Sequence, residues 1–203
     1  MLQYLFQETM ENTIKMIKSL EVKHIFVFNI NCIITVLAYL QMSGLDIEKE
    51  HILEMACLVT DTDLNIVAEG PNLVIHQSDE ILNNMGEWCT KQHGESGLTE
   101  EVRKSDISLK DAEDRMLNFI KEHTTERTAL LAGNSIHADR MFLNKYMPDF
   151  LNHLHYRILD VSSVKELCRY VNFCPLMTSF MQFLSSIVKA IPARGEIVNS
   201  QIT

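Results

Sequence analysis

The residues of this chain best suited to chemistry lie where a short apolar run meets a helix. Leu130-Leu131-Ala132 is cut off by Gly133-Asn134-Ser135, and a single carboxylate, Asp139, follows. Glycine and asparagine break a strand and open a helix. The first turn of a helix offers unpaired backbone N–H groups and a positive dipole end, which suit a phosphate, while a carboxylate beside them suits a cation. The same residues also admit a bland reading: Gly133 as a turn, Asn134 as a helix cap and Asp139 as a solvated helix residue. Spacing alone leaves both readings open.

The elements that must position these groups can be read from periodicity. Ile136, Met141, Phe142 and Tyr146 recur at helical spacing until Pro148 stops the helix. The chain returns through His155 to Asp160, and Val161 to Leu167 begins another helix with Ser162 or Ser163 as its cap. Upstream, Val36 to Met42 can form a strand with Leu37, Tyr39 and Gln41 on one face and Ala38 and Leu40 on the other. Ser43-Gly44-Leu45-Asp46 turns the chain. Further strands are expected at Ile52–Thr60, Asn65–Glu69 and Asn72–His76, with Asp61-Thr62-Asp63 as a tight hairpin connection and Gly70-Pro71 as a break. Ser78 to Cys89 reads as one helix with Ile81, Leu82, Met85 and Trp88 as its apolar stripe. A polar loop, Lys91 to Gly97, precedes helices at Thr99–Lys104 and Ser108–His123. A first helix is expected around Ile14–Leu20, and an apolar helix rich in Met and Phe around Met177–Val188. Three adjacent strands followed by alternating helices and strands describe an α/β domain with a mixed sheet.

Composition narrows the function classes. A chain of 203 residues, 46% hydrophobic, can bury a substantial core within one domain. Its formal charge of −9 argues against wrapping long duplex or single-stranded nucleic acid. A pocket that takes a very short nucleic acid by its ends remains compatible with that charge. The five cysteines are scattered and never form a CxxC pair, so free thiols in a reducing compartment are expected, with no zinc site. Ile25 to Leu40 is apolar but interrupted by Asn29 and Asn31 and short for a membrane span, so buried strand is the expectation there. The amino-terminal stretch makes a poor secretory signal and a poor mitochondrial presequence. The expected location is cytoplasmic, with a mitochondrial one compatible.

Four segments carry a resemblance: MSGLDIEKEHILEMACLVTDTDLNIVAEGPNLVIHQSDE, EWCTKQHGESGL, LAGNSIHADRMFLNKYMP and HLHYRILDVSSVKELCR. Together they run from Met42 to Arg169, and they resemble the oligoribonucleases, DEDD-type 3′-to-5′ exonucleases, in their animal form. The resemblance implies a ribonuclease H-like mixed β-sheet flanked by helices, a homodimer, and a substrate of very short RNA. It also implies two-metal phosphodiester hydrolysis, in which four carboxylates hold Mg²⁺ or Mn²⁺ ions about 3.5–4 Å apart and a histidine acts as general base. Position by position, it makes Asp139 the metal ligand. Leu45 and Trp88 become the pair that sandwiches a terminal base. Ser43, Ser135, Arg157 and Ser162 become the cap on a 5′ phosphate, and Tyr156 the residue each subunit lends to its neighbour's active site.

The departures from the family pattern bear on mechanism. The family's Asp-x-Glu pair falls at Tyr39 and Gln41, where neither side chain carries an anionic oxygen at neutral pH. The family's last motif, a His-x4-Asp pair, would follow Arg169, yet residues 170–203 contain neither histidine nor aspartate. His155 and Asp160 share that spacing but belong to a separate, dimer-contacting segment of the family. One carboxylate cannot neutralise two divalent cations, so the chain is expected to be a strongly impaired exonuclease. The alternative is a catalytically inactive protein that binds dinucleotides or partners an active subunit. The expected organisation is a divergent segment over 1–35, the exonuclease domain over 36–169 and a second divergent segment over 170–203. The two foreign ends also read as translated intron, since Gln41 and Arg169-Tyr170-Val171-Asn172 can be encoded across splice-site consensus sequences.

Overall fold

The computed structural model describes residues 34–61 and 65–170, without the side chains at 164 and 167–170. The helices expected around Ile14–Leu20 and Met177–Val188, and the stretch before residue 34, lie outside the described residues. By its packing the described chain divides into a main unit through Leu159 and a second unit that begins at Asp160.

The elements of the main unit are β1 (Thr35–Met42), β2 (Ile52–Thr60), β3 (Ile66–Glu69), β4 (Leu73–Val74), α1 (Asp79–Asn83), α2 (Glu87–Glu95), α3 (Leu98–Lys104), α4 (Leu109–His123), β5 (Leu130–Gly133), α5 (Ile136–Tyr146) and α6 (Pro148–His153). β6 (Ile158–Asp160) runs into the second unit, which carries α7 (Val161–Tyr170). The strands form one mixed sheet in the order β3-β2-β1-β5-β6, with β4 also paired to β2. β1 runs antiparallel to β2 and parallel to β5. This is the α/β architecture expected from the sequence.

β2 is buried along its whole length, so both faces of the sheet are covered there. One face carries Val36, Ala38, Leu40, Met55, Cys57 and Val59, and it packs with Ala112, Met116 and Ile120 of α4 and with Phe142 and Phe150. A smaller apolar group of Leu53, Leu82, Met85, Leu98 and Val102 lies with α1 and α3. Burial pushes the Cys57 thiol up to about 12. Cys57 and Cys89 are free thiols. No helix among the described residues is long and apolar enough to cross a membrane.

Local rules explain most boundaries, and four features differ from the sequence expectation. The helix expected over Ser78–Cys89 is two helices, split at Asn84-Met85-Gly86, with Asn84 closing α1 and Gly86 opening α2. Most of the polar stretch Lys91–Gly97 is helical, because α2 runs on to Glu95. Pro148 does more than end α5: it takes the first position of α6, where proline's missing N–H costs nothing. β4 spans only Leu73–Val74 of the expected Asn72–His76. The Asp61 carboxylate accepts the backbone N–H of Asn65 at 2.8 Å, linking the end of β2 to the residue before β3.

Candidate functional site

Because β1 and β5 are parallel neighbours, paired from Thr35–Leu130 to Leu37–Ala132, their carboxyl ends emerge at the same edge of the sheet. Ligands in open α/β sheets bind outside such ends. β1 carries Tyr39 and Gln41 to that edge; β5 delivers Gly133 and the start of α5. Gly133 is required by close approach: a Cβ there would lie 2.8 Å from Ile136 Cδ1 and 3.1 Å from the Ala38 carbonyl oxygen. Ser135 takes the left-handed conformation, φ 53°, immediately before α5. For a residue other than glycine this costs about 1–2 kcal/mol. Asp139 follows in the first turns of α5 and is only 9% exposed, which excludes its reading as a solvated helix residue.

At the end of β1, alternate positions share a face, and Gln41 donates its side-chain amide hydrogen to the Tyr39 hydroxyl. Across the antiparallel pair, Gln41 sits opposite Glu54, whose buried carboxylate accepts from Asn72 Nδ2 at 2.9 Å. The next turn carries Ser43, Gly44 and Leu45. Ser43, expected to touch a 5′ phosphate, is fully buried; its hydroxyl donates to the Glu50 carboxylate and accepts from His51 N at 2.9 Å. Leu45 is 65% exposed.

Trp88 lies in the first turn of α2 and is 37% exposed, so it does not join the buried stripe read from the sequence. α2 is pinned instead through His93, which is 2% exposed with Nε2 3.0 Å from the Met42 carbonyl oxygen. A carbonyl can only accept, so the Nε2 of His93 carries the proton. Burial, and then the Glu50 charge, push the Cys89 thiol upward. Burial and the Lys145 ammonium hold the His51 imidazole below its ordinary value. The backbone N–H of Glu48, aided by Lys49, lowers the Asp46 carboxyl. Neither Glu50 nor His93 carried a motif signal in the sequence; Glu50 sits within a run of charges, and His93 within a polar stretch.

Tyr156 is 69% exposed and forms a small stack. His155 lies 4.5 Å from its ring, and Arg157 lies over it at 5.4 Å while donating Nε–H to its hydroxyl at 3.0 Å. In the second unit, Ser162 donates both N–H and Oγ–H to Asp160 Oδ1, at 3.0 and 2.6 Å. Asp160 is therefore the cap of α7, correcting the expectation that Ser162 or Ser163 would cap it. Asp caps well because its oxygen reaches the second backbone N–H of a helix.

The donor set of the described residues does not fit a pair of divalent cations. Hard cations need anionic oxygens, and Tyr39 and Gln41 offer a phenol and an amide that already bond each other. Among the described residues no group of three or more His, Cys, Asp or Glu side chains could hold a metal ion.

A sequence model of the exonuclease family matches residues 41–183, more than half of the chain. The match begins at Gln41 and runs beyond Arg169. The mitochondrial oligoribonucleases of Bos taurus and Homo sapiens are each 60% identical over 130 residues, covering 64% of this chain and 55% of theirs. The oligoribonuclease of Marinobacter nauticus is 55% identical over 130 residues, 72% of its length. The chain thus spans about half the length of its mammalian relatives. With its six-stranded mixed sheet and its strand, turn and helix from Leu130 to Asp139, the chain belongs to the exonuclease family, among the oligoribonucleases.

Proposed function

We propose that this chain recognises very short RNA, down to dinucleotides, as a 3′-to-5′ oligoribonuclease does, and hydrolyses it poorly. Family membership supports the substrate class. The observation that carries the impairment is the neutral pair at the end of β1, Gln41 bonded to Tyr39. The family's reaction draws on Mg²⁺ or Mn²⁺, and these side chains lack the negative oxygens such ions need. On this reading Leu45 and Trp88, both exposed, stack on a terminal base, a contact worth about 1–3 kcal/mol. Arg157 supplies a charged donor for the 5′ phosphate, with Ser135 contributing to that cap. The exposed Tyr156 reaches the neighbouring subunit of a homodimer. The mitochondrial names of the mammalian relatives support a mitochondrial setting.

The test is a dinucleotide assay on purified protein. Binding without turnover in Mg²⁺ or Mn²⁺ is expected, with any residual rate unchanged by Asp139→Ala. A metal-dependent rate that Asp139→Ala abolishes would instead make the chain an active nuclease.

A further inference from the structure

A serine hydroxyl has one proton to give. In Ser43 that proton goes to the Glu50 carboxylate, and the oxygen accepts from His51 N at 2.9 Å. The Ser43 backbone N–H donates to the His51 carbonyl at 3.0 Å, and the residue is 0% exposed. Glu50 is held from both sides. Its N–H donates to the Asp46 carbonyl at 2.8 Å, and its own carbonyl accepts the Tyr146 hydroxyl, at the end of α5, at 2.7 Å. Its carboxylate also packs against Gly44: a Cβ there would stand 2.8 Å from Glu50 Cδ and force that side chain to shift. The next residue, Leu45, projects into solvent.

We infer that Glu50 is a positioning residue for the base-stacking Leu45, and that Ser43 acts through this lock rather than by touching the 5′ phosphate. The inference rests on the proposed binding of short RNA. A carboxylate beside Ser43 repels a phosphate, while two hydrogen bonds on one hydroxyl fix the turn from which Leu45 emerges. Glu50 thereby ties three elements together: the end of β1 through Ser43, the turn through Gly44 and α5 through Tyr146.

The experiment compares dinucleotides with and without a 5′ phosphate, by titration calorimetry on the full chain, together with amide hydrogen exchange at Lys49, Glu50 and His51. Glu50→Ala and Ser43→Ala are expected to weaken both ligands equally, by about tenfold, and to speed exchange at these amides. Glu50→Gln keeps an acceptor for Ser43 and should restore affinity, whereas Gly44→Ala, which displaces the carboxylate sterically, should behave like Glu50→Ala. A loss in Ser43→Ala confined to the 5′-phosphorylated ligand overturns the inference in favour of direct contact. So does a Glu50→Ala protein with a lower melting temperature but unchanged affinity. If the wild type binds neither ligand, the proposed function fails, and unchanged exchange in Glu50→Ala then removes the lock as well.

Discussion

Gln41 donates its amide hydrogen to the hydroxyl of Tyr39, so the two side chains at the carboxyl end of β1 are hydrogen-bonded to each other. Their neutrality makes a direct prediction. Replacing the pair by Tyr39→Asp and Gln41→Glu places two carboxylates on one strand face at the edge where α5 begins. Without cation they repel each other, and the protein should melt at a lower temperature than wild type. Added Mn²⁺ should restore the melting temperature, and calorimetry should show at least about a tenfold gain in Mn²⁺ affinity, or 1.4 kcal/mol. Affinity equal to wild type would mean that this edge is no cation site even when supplied with charge.

His93 is expected to matter for both stability and the placement of Trp88. It is buried, and it is anchored on β1 through the Met42 carbonyl at 3.0 Å. His93→Ala removes that donor and leaves a cavity between α2 and the strand end. The loss should be about 2–4 kcal/mol in urea unfolding. Trp88 fluorescence in the native state should shift as α2 loses its pin. An unchanged spectrum together with unchanged stability would contradict this role.

Glu113 joins two helices that are distant in sequence. Its buried carboxylate accepts the backbone N–H of Asp149 at 2.7 Å and pairs with Lys110 at 3.1 Å, so α4 caps the amino end of α6. Asp114 and Glu113 in turn raise the Lys110 ammonium above its ordinary value. Glu113→Ala should cost about 1–2 kcal/mol, as removal of a helix cap does. Glu113→Gln, which retains a carbonyl acceptor for Asp149, should lose less. Equal losses in the two variants would show that charge, rather than capping, is what counts.

Stability should fall on acidification through His51. Its native value is held below 6.5 by burial first and by Lys145 next, with Glu50 opposing. A depressed native value means that the unfolded chain binds the proton more readily. The contribution is therefore complete above about pH 6.5 and is lost as pH falls through the native value. His51→Phe keeps a ring against Tyr146, 5.5 Å away in the wild type, but removes the titration. Melting curves from pH 7.5 to 5.5 should show a shallower decline in the variant; parallel declines would assign the acid sensitivity to other groups.

What the sequence alone determined is local. Ser108 before α4, Gly133 before α5 and the helical spacing of Ile136, Phe142 and Tyr146 act over a few residues, and the backbone obeyed them. The order of strands and helices was enough for the mixed sheet, and the quoted segments were enough for the family. What only tertiary structure decided are the relations across long separations. The break at Gly86 turns Trp88 outward, since an apolar stripe continues only while the helix does. Ser43 is buried with its hydroxyl between the Glu50 carboxylate and the His51 N–H, and no local rule says which of several charged residues will take its proton. Periodicity specifies which side of an element a residue occupies, but what it meets there depends on the elements packed against that side.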